Sequence, residues 1–258
     1  MSAYLRAAID AANAAAVVIR RYYQQNIAIT IKADKSPVTR ADVETEQAIR
    51  KLLSERFPDH GFYGEETGSE GLDKEYLWLV DPIDGTKAFV REYPMFSTQI
   101  ALMHRGKLIV GVSSAPVYGE LAYGEIGPDG VSRGAWLNDK PVRVSDIDSI
   151  EGCAISGGNL KTLALSPHWD NYGKLIARAH RIRGYGDFLH YHLLAAGKID
   201  VVIESDVNIL DIAALSVIVE AADGRFTQLD GRPVGLDTTT VLATNGRLHD
   251  KVRAALPY

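Results

Sequence analysis

The stretch WLVDPIDGTKAFVREYP (residues 78–94) begins as an apolar strand and ends as a helix. The run YLWLV (76–80) is typical of a fully buried strand. Just after it, Asp81 and Asp84 place two carboxylates at the end of the strand, where Pro82 cannot continue the hydrogen bonds of a sheet. Two carboxylates repel each other in such a place unless a cation lies between them. The sequence therefore predicts a cation-binding turn.

The next two residues, Gly85 and Thr86, open the predicted helix. The first N–H groups of a helix have no internal partner and favour a phosphate. Mg²⁺ is commonly held by one or two carboxylates together with phosphate oxygens of a substrate. The turn thus offers metal ligands together with backbone N–H groups that can bind a phosphate. The alternative is that Asp84 only caps the helix and that Asp81 is an ordinary turn residue.

Further acidic residues favour the metal interpretation. Glu65 and Glu66 lie in YGEET (63–67), a loop that comes shortly before the strand. Far downstream, Asp211 stands at the head of the helix predicted in NILDIAALSVIVEAADG, where a helix cap would also explain it.

Composition excludes several classes of function. The chain has 258 residues, of which 46% are apolar, and a net charge of -5. Its acidic balance and lack of basic runs argue against a nucleic-acid partner. Cys153 is the only cysteine, so no internal disulfide can form, and we expect a cytoplasmic protein. The N-terminal segment reads as an amphipathic helix, and no apolar run approaches the roughly 20 residues of a membrane span, so we expect no membrane partner.

The order of predicted elements indicates an α+β fold with mixed sheets. Residues 1 to about 150 read as an antiparallel-rich half and residues 151–258 as an alternating α/β half. In the first half, the predicted elements are a helix over 3–25, a strand and polar loop over 26–39, a helix from a Thr39–Asp42 capping box to about Phe57, a turn-rich loop over 61–71, and strands around an Arg105-Gly106 turn. In the second half, they are helices near 168–180, 188–197 and from about 211, a hairpin around Asp230-Gly231, and a terminal helix.

Three motifs, in this order, resemble those of the inositol monophosphatase family of Mg²⁺-dependent, lithium-sensitive phosphatases. They are Glu65 in GEE, DPIDGT (81–86) and LDIAA (210–214), and KSPVTRAD (35–42) is similar to the loop and helix start before them. The resemblance covers essentially the whole chain. It implies a single domain over 1–258, a layered α-β-α-β-α sandwich of the inositol monophosphatase/fructose-bisphosphatase type, and a homodimer. Leu210 departs from the aromatic residue that the family often has there.

The resemblance also implies roles for these residues. Two or three Mg²⁺ ions would be held by the carboxylates of Glu65, Asp81, Asp84 and Asp211 and by the carbonyl oxygen of Ile83. Gly85 and Thr86 would hold the phosphate. The attacking water would be activated near Glu65 and Thr86, with Asp42 hydrogen-bonded to Thr86. Such metal-assisted displacement needs no Ser or Cys nucleophile.

Substrate choice depends on groups outside the metal ligands, and we predict that Asp187 and Glu204 contact the substrate. DPIDGTKAF, with Lys87, and YPMFSTQIALM (93–103) are similar to the histidinol-phosphate phosphatase branch. Histidinol phosphate carries an ammonium and an imidazole, which suit acidic partners. Asp187 could instead cap the helix over 188–197.

Other functions stay open. The ester could be inositol 1-phosphate, or adenosine 3',5'-bisphosphate, since DGTK also occurs in enzymes that remove that 3'-phosphate. A metal-dependent phosphate-binding regulator or a dimerisation module would be a protein without catalysis. The presence of Glu65, Asp42 and Thr86 together favours an active enzyme.

The remaining candidate residues are interpreted as structural. His190 and His192 are two residues apart and so lie on different faces of a helix. The Gly184-Tyr185-Gly186 segment lacks the third glycine of a dinucleotide-binding turn. Cys153 is expected to be a small core residue.

Overall fold

The structure is a computed structural model that describes residues 1–25, 29–31 and 37–258. Its helices are α1 (Ala3–Tyr22), α2 (Arg40–Arg56), α3 (Thr86–Val90), α4 (Lys161–Leu165), α5 (Trp169–Arg178), α6 (Asp187–Ala195), α7 (Ile209–Ala221) and α8 (His249–Ala255). Its strands are β1 (Ile29–Ile31), β2 (Pro37–Thr39), β3 (Gly61–Gly64), β4 (Gly68–Glu70), β5 (Tyr76–Asp84), β6 (Ser97–His104), β7 (Lys107–Ala115), β8 (Glu120–Ile126), β9 (Ser132–Leu137), β10 (Lys140–Val142), β11 (Ala154–Gly157), β12 (Arg181–Arg183), β13 (Val201–Ser205), β14 (Arg225–Thr227) and β15 (Thr240–Thr244).

The first half builds an eight-stranded sheet in the order β10-β9-β8-β7-β6-β5-β3-β4. Its neighbouring strands are antiparallel, except that β3 and β5 are parallel. Arg105-Gly106 and Asn138-Asp139 form two-residue hairpin turns in which every φ is positive, as the right-handed twist of the strands favours. Antiparallel pairing therefore dominates the sheet of the first half.

The second half builds a five-stranded sheet in the order β12-β11-β13-β15-β14. The first three strands are parallel, and β15 is antiparallel to both of its neighbours. The predicted alternation of strands and helices matches this arrangement, because parallel neighbours need a crossover connection between them.

Helices and sheets alternate in five layers. The alanine-rich face of α1, together with α2, covers one face of the large sheet. The other face packs on α6 and α7, which also contact the small sheet in one continuous hydrophobic core. The outer face of the small sheet is covered by α5 and α8. The expected α-β-α-β-α sandwich is confirmed. One domain over 1–258 stays a prediction, which the shared core supports.

A row of small residues lets α7 lie directly on the large sheet. Ala101, Gly111, Gly124 and Ala135 are consecutive partners across β6, β7, β8 and β9. The middle two face the α7 backbone, near Ala214 and Ile218. The helix therefore follows this row, and its first turn points toward β5.

Several predictions about elements are wrong in detail. The segment expected as a turn-rich loop forms β3 and β4, and β3 pairs with β5. Strand β5 does not end before Pro82 but continues to Asp84 through a change of register. The short helix α4 was not predicted. Residues 26–28 and 32–36, including most of the predicted polar loop and the start of KSPVTRAD, lie outside the described residues.

We expect Gly111→Ala to lower the free energy of unfolding by about 1–3 kcal/mol, because overpacking forces the backbone to shift. A Cβ at residue 111 would lie 2.2 Å from the carbonyl oxygen of Ala214. Gly173→Ala in α5 is the matched control, since a Cβ there meets no described atom within 4 Å. That change should leave stability unchanged or raise it by about 0.5–1 kcal/mol. Urea unfolding measures both, and equal effects would contradict the close approach of α7.

Candidate metal centre

A bulge at the end of β5 brings its two aspartates to the same side of the strand. Side chains alternate between faces in a regular strand, so residues three apart would point in opposite directions. Here Asp81 pairs with Gln99 and Asp84 with Ser97, which adds one residue on the β5 side. The bulge is held by a 2.9 Å hydrogen bond from the Ile83 N–H to Asp81 Oδ1.

Asp211 joins these two residues from the first turn of α7. The N-cap of this helix is Asn208, whose backbone N–H and side-chain amide donate to the Asp211 carboxylate at 3.0 and 2.7 Å. Asp211 is therefore the third helical residue of a capping box and not the N-cap. One carboxylate oxygen from each of Asp81, Asp84 and Asp211 lies within 4.8 Å of the others.

These three carboxylates are electrostatically unfavourable without a cation. Burial, followed by the charges of Glu65 and Asp84, raises the pKa of Asp81 well above its usual range. Burial and the charge of Asp211 do the same to the pKa of Asp84. Burial also raises the pKa of Asp211 to about 7. Carboxylate oxygens are the ligands that Mg²⁺ prefers, so this donor set fits a hard divalent cation.

Glu65 approaches the cluster from the turn between β3 and β4. Its backbone N–H donates to the carbonyl of Val80 on β5 at 3.2 Å. Its side chain lines the same cavity as the three aspartates and interacts with Asp81. The first-half sheet therefore brings Glu65, Asp81 and Asp84 together.

Thr86 and Asp42 form a second part of the site. Asp42 belongs to the predicted capping box at the start of α2, where the Thr39 N–H donates to Asp42 Oδ2 at 2.8 Å. The Thr86 hydroxyl lies 3.2 Å from Asp42 Oδ1 and 3.0 Å from the carbonyl oxygen of Ile83. Burial raises the pKa of Asp42, although hydrogen bonds from Thr39 and Thr86 oppose the shift. The N-cap of α3 is Gly85, with φ +88°, so Asp84 does not cap that helix.

The cluster opens into a cavity of about 620 Å³. Its walls combine both halves of the chain: Glu65, Asp81, Ile83, Asp84, Gly85, Thr86, Lys87, Ala88, Tyr93, Asn159, Asp187, Asp206, Asn208 and Asp211. Sequence reasoning did not identify Tyr93, Asn159, Asp206 or Asn208. Two of these could have been found, because Asn159 follows β11 and Asp206 follows β13, and ligands of α/β sheets commonly bind beyond the ends of such strands.

Of the two residues predicted to contact the substrate, Asp187 lines the cavity and Glu204 does not. Asp187, the first residue of α6, has φ +46° and lines the cavity, and no side-chain hydrogen bond from any described residue caps this helix. Burial and the charge of Glu204 raise the pKa of Asp187.

Glu204 is 4% exposed and lies behind the cavity wall. It accepts hydrogen bonds from His190 Nε2 and the Asn159 N–H, each at 3.1 Å, and from the Tyr191 hydroxyl. Burial would raise its pKa, but His190 and these hydrogen bonds hold it below the usual value. Its direct contact with a substrate stays a prediction.

The two histidines and the cysteine that were interpreted as structural are buried. His190 bonds to Ser156 and Glu204, whereas His192 bonds to Ser113 and Glu120 on the large sheet. Cys153 is fully buried in the core of the small sheet, and burial raises the pKa of its thiol to about 11.

Comparison with known proteins agrees with this geometry. The model of the "Inositol monophosphatase family" matches residues 1–257. The chain belongs to the inositol monophosphatase family. It is 36% identical to a histidinol-phosphatase of Mycobacterium tuberculosis (92% of this chain, 90% of that protein) and 32% identical to an inositol-1-monophosphatase of Mesorhizobium japonicum (95% and 92%). An inositol monophosphatase structure from Anabaena superposes with a TM-score of 0.83 at 30% identity, covering 98% of this chain and 95% of that one.

This inositol monophosphatase family member is a phosphoric monoester hydrolase, as its relatives are named. The enzymatic interpretation is therefore confirmed, ahead of a regulator or a dimerisation module. Its acidic cluster can hold a metal ion, whereas the individual ligand and catalytic roles stay predictions. No helix in the described ranges is long and apolar enough to span a membrane.

We expect the metal-free enzyme to lose stability as the pH rises. Each raised pKa means that the folded state binds a proton more tightly than the unfolded chain, so the free energy of unfolding falls from about pH 4 toward pH 8. Asp84→Asn removes one of the clustered charges. In chelator at pH 8, the variant should be more stable than wild type by about 1 kcal/mol or more, and the difference should shrink at pH 5.

Thermal unfolding in chelator at both pH values checks this expectation. Asp146→Asn is the control, because Asp146 is an exposed carboxylate paired with Arg247 at 2.7 Å and its loss should bring no gain. An Asp84→Asn protein no more stable than wild type at pH 8 would show that the cluster is not under repulsion.

Proposed function

We propose that this enzyme hydrolyses histidinol phosphate in a Mg²⁺-dependent reaction. The observation that carries the proposal is Asp187, a carboxylate in the wall of the cavity beside the metal cluster. Among the described residues, none forms a hydrogen bond or ion pair with its side chain. A cationic substrate group would offset the loss of hydration and the repulsion from Glu204 that raise its pKa. The histidinol-phosphatase among the relatives supports the same substrate.

The proposed metal ligands are the carboxylates of Glu65, Asp81, Asp84 and Asp211 and the carbonyl oxygen of Ile83. Two or three Mg²⁺ ions are proposed for this set. Bound there, Mg²⁺ would lower the pKa of a coordinated water and offset the negative charge of the phosphate.

The proposed catalytic residues are Glu65, Thr86 and Asp42. The Thr86 hydroxyl can donate a hydrogen bond to Asp42 Oδ1 or to the carbonyl oxygen of Ile83. In either case its lone pairs are left to accept a hydrogen bond from the attacking water. Asp42, held at the start of α2, fixes the orientation of that hydroxyl. Gly85 and Thr86 line the cavity and are proposed to bind the phosphate.

Two other esters compete with histidinol phosphate. Inositol 1-phosphate has support from the Mesorhizobium relative. Adenosine 3',5'-bisphosphate would bring a second phosphate toward Lys87, which lines the cavity. The homodimer and the cytoplasmic location implied earlier stay predictions.

A panel of the three phosphate esters, assayed with Mg²⁺ and with excess chelator, tests the proposal. We expect the highest kcat/KM for histidinol phosphate and loss of turnover in chelator, because the clustered carboxylates repel the phosphate without cations. Full turnover in chelator would exclude the metal-dependent mechanism. A higher kcat/KM for another ester would replace histidinol phosphate as the proposed substrate.

Asp187→Asn should lower kcat/KM for histidinol phosphate about 10- to 150-fold, because that decrease corresponds to the loss of one charge-assisted hydrogen bond to the substrate. Asparagine keeps the shape of the side chain and tolerates the left-handed backbone at this residue. The rate with glycerol 2-phosphate, which has no cationic group, should hardly change.

Asp206→Asn is the matched control for this substitution. Asp206 lines the same cavity and also has a left-handed backbone, but its carboxylate accepts hydrogen bonds from Thr162 and Ser205. Its replacement should affect both esters to the same degree. Equal kcat/KM values of wild type and Asp187→Asn on histidinol phosphate would remove Asp187 from the substrate site.

A further inference from the structure

Glu46 is a fully buried carboxylate on α2, one turn after Asp42. No Lys, Arg or His of the described ranges lies within ion-pair distance of it. Burying an unpaired charge is costly, and an apolar side chain of similar volume would usually serve stability as well or better. Packing of the core alone therefore does not explain why a glutamate stands here.

The partners of Glu46 are two backbone groups in the turn that carries Glu65. Its Oε2 accepts from the N–H of Glu66 at 2.8 Å, and its Oε1 accepts from the N–H of Thr67 at 2.7 Å. Glu65 itself donates its N–H to Val80 on β5. Three successive N–H groups of this turn are thus fixed, one to the strand of the aspartates and two to α2.

The fit between the turn and Glu46 is close. A Cβ at Gly64 would lie 2.5–2.6 Å from the carboxylate atoms of Glu46, so any larger residue at position 64 would displace either the turn or the Glu46 carboxylate. One turn further along α2, Arg50 donates to the Thr67 hydroxyl at 3.0 Å. It also pairs with Glu70 on β4.

The same face of α2 therefore holds two separate parts of the site. Asp42, Glu46 and Arg50 are spaced four residues apart, which places them in one line along a helix. Asp42 contacts Thr86, and the other two hold the turn of Glu65. A rigid helix between these contacts fixes the distance from Glu65 to Thr86.

We propose that Glu46 is a positioning residue for Glu65. By accepting hydrogen bonds from the N–H groups of Glu66 and Thr67, it fixes the turn. The Glu65 carboxylate then faces Asp81 and stays at a fixed distance from Thr86. This inference rests on the proposed role of Glu65 as a metal ligand. Glu46 touches neither metal nor substrate and acts only through the turn.

Calorimetric titration of the chelator-stripped protein with Mg²⁺ tests the proposal. In Glu46→Gln, one oxygen is replaced by an NH₂ group that faces a backbone N–H, so one hydrogen bond is lost and two donors oppose each other. We expect Mg²⁺ affinity to fall about 10- to 100-fold, as is typical when a partner behind a metal ligand is removed. Turnover should recover in part at high Mg²⁺.

Glu44→Gln is the matched control, with the same chemical change on the same helix. Glu44 pairs with Arg40 at the surface and contacts no part of the site, so Mg²⁺ affinity should equal that of wild type. Should Glu46→Gln fail to fold, Glu46→Asp keeps the charge but is one methylene shorter, and it should also bind Mg²⁺ more weakly.

Unchanged Mg²⁺ affinity in the folded Glu46 variant, even with a lower melting temperature, would overturn the proposal and leave Glu46 a purely structural residue. Failure of the wild-type protein to bind Mg²⁺ would instead overturn the metal-dependent function on which the proposal rests. The two failures are therefore distinguished within one set of titrations.

Discussion

The mutual repulsion of Asp81, Asp84 and Asp211 is the constraint on which the rest of the structure depends. One carboxylate oxygen from each lies within 4.8 Å of the others, and burial, followed by the charges of acidic neighbours, raises the pKa of all three groups. A fold tolerates such a cluster only where its framework is over-determined. Here the framework consists of a bulge, a capping box and a helix that packs directly against a sheet. The bulge fixes Asp81 and Asp84, whereas the capping box and the packing of α7 fix Asp211.

The row of small residues under α7 connects this local geometry to the whole fold. Because Gly111 and Gly124 let the helix backbone approach the sheet, Asp211 reaches the end of β5 without a long loop. On the opposite face, the alanines of α1 similarly allow a helix to lie close to the same sheet. The first-half sheet is thus held between two helical layers, which prevents the three clustered carboxylates from relaxing apart.

Sequence reasoning succeeded where the signal is local. The Thr39–Asp42 capping box and the Arg105-Gly106 hairpin turn depend on a few adjacent residues. It failed where non-local pairing decides. Strand β3 lies in a glycine-rich segment that is typical of a loop and that carries no sign of its parallel pairing with β5, and the bulge at Pro82 depends on register with β6. Glu46 gave no signal, since a glutamate in a helix is usually exposed.

The acidic cluster and the remaining acidic and amide groups of the cavity wall come from different halves of the fold. The first half and α7 supply the acidic cluster, whereas Asn159, Asp187 and Asp206 follow the parallel strands β11, β12 and β13 of the second half. All three lie beyond the carboxyl ends of strands, where loops can change without altering a sheet. A residue such as Asp187 can thus be exchanged while the packing that holds Asp81, Asp84 and Asp211 together is preserved.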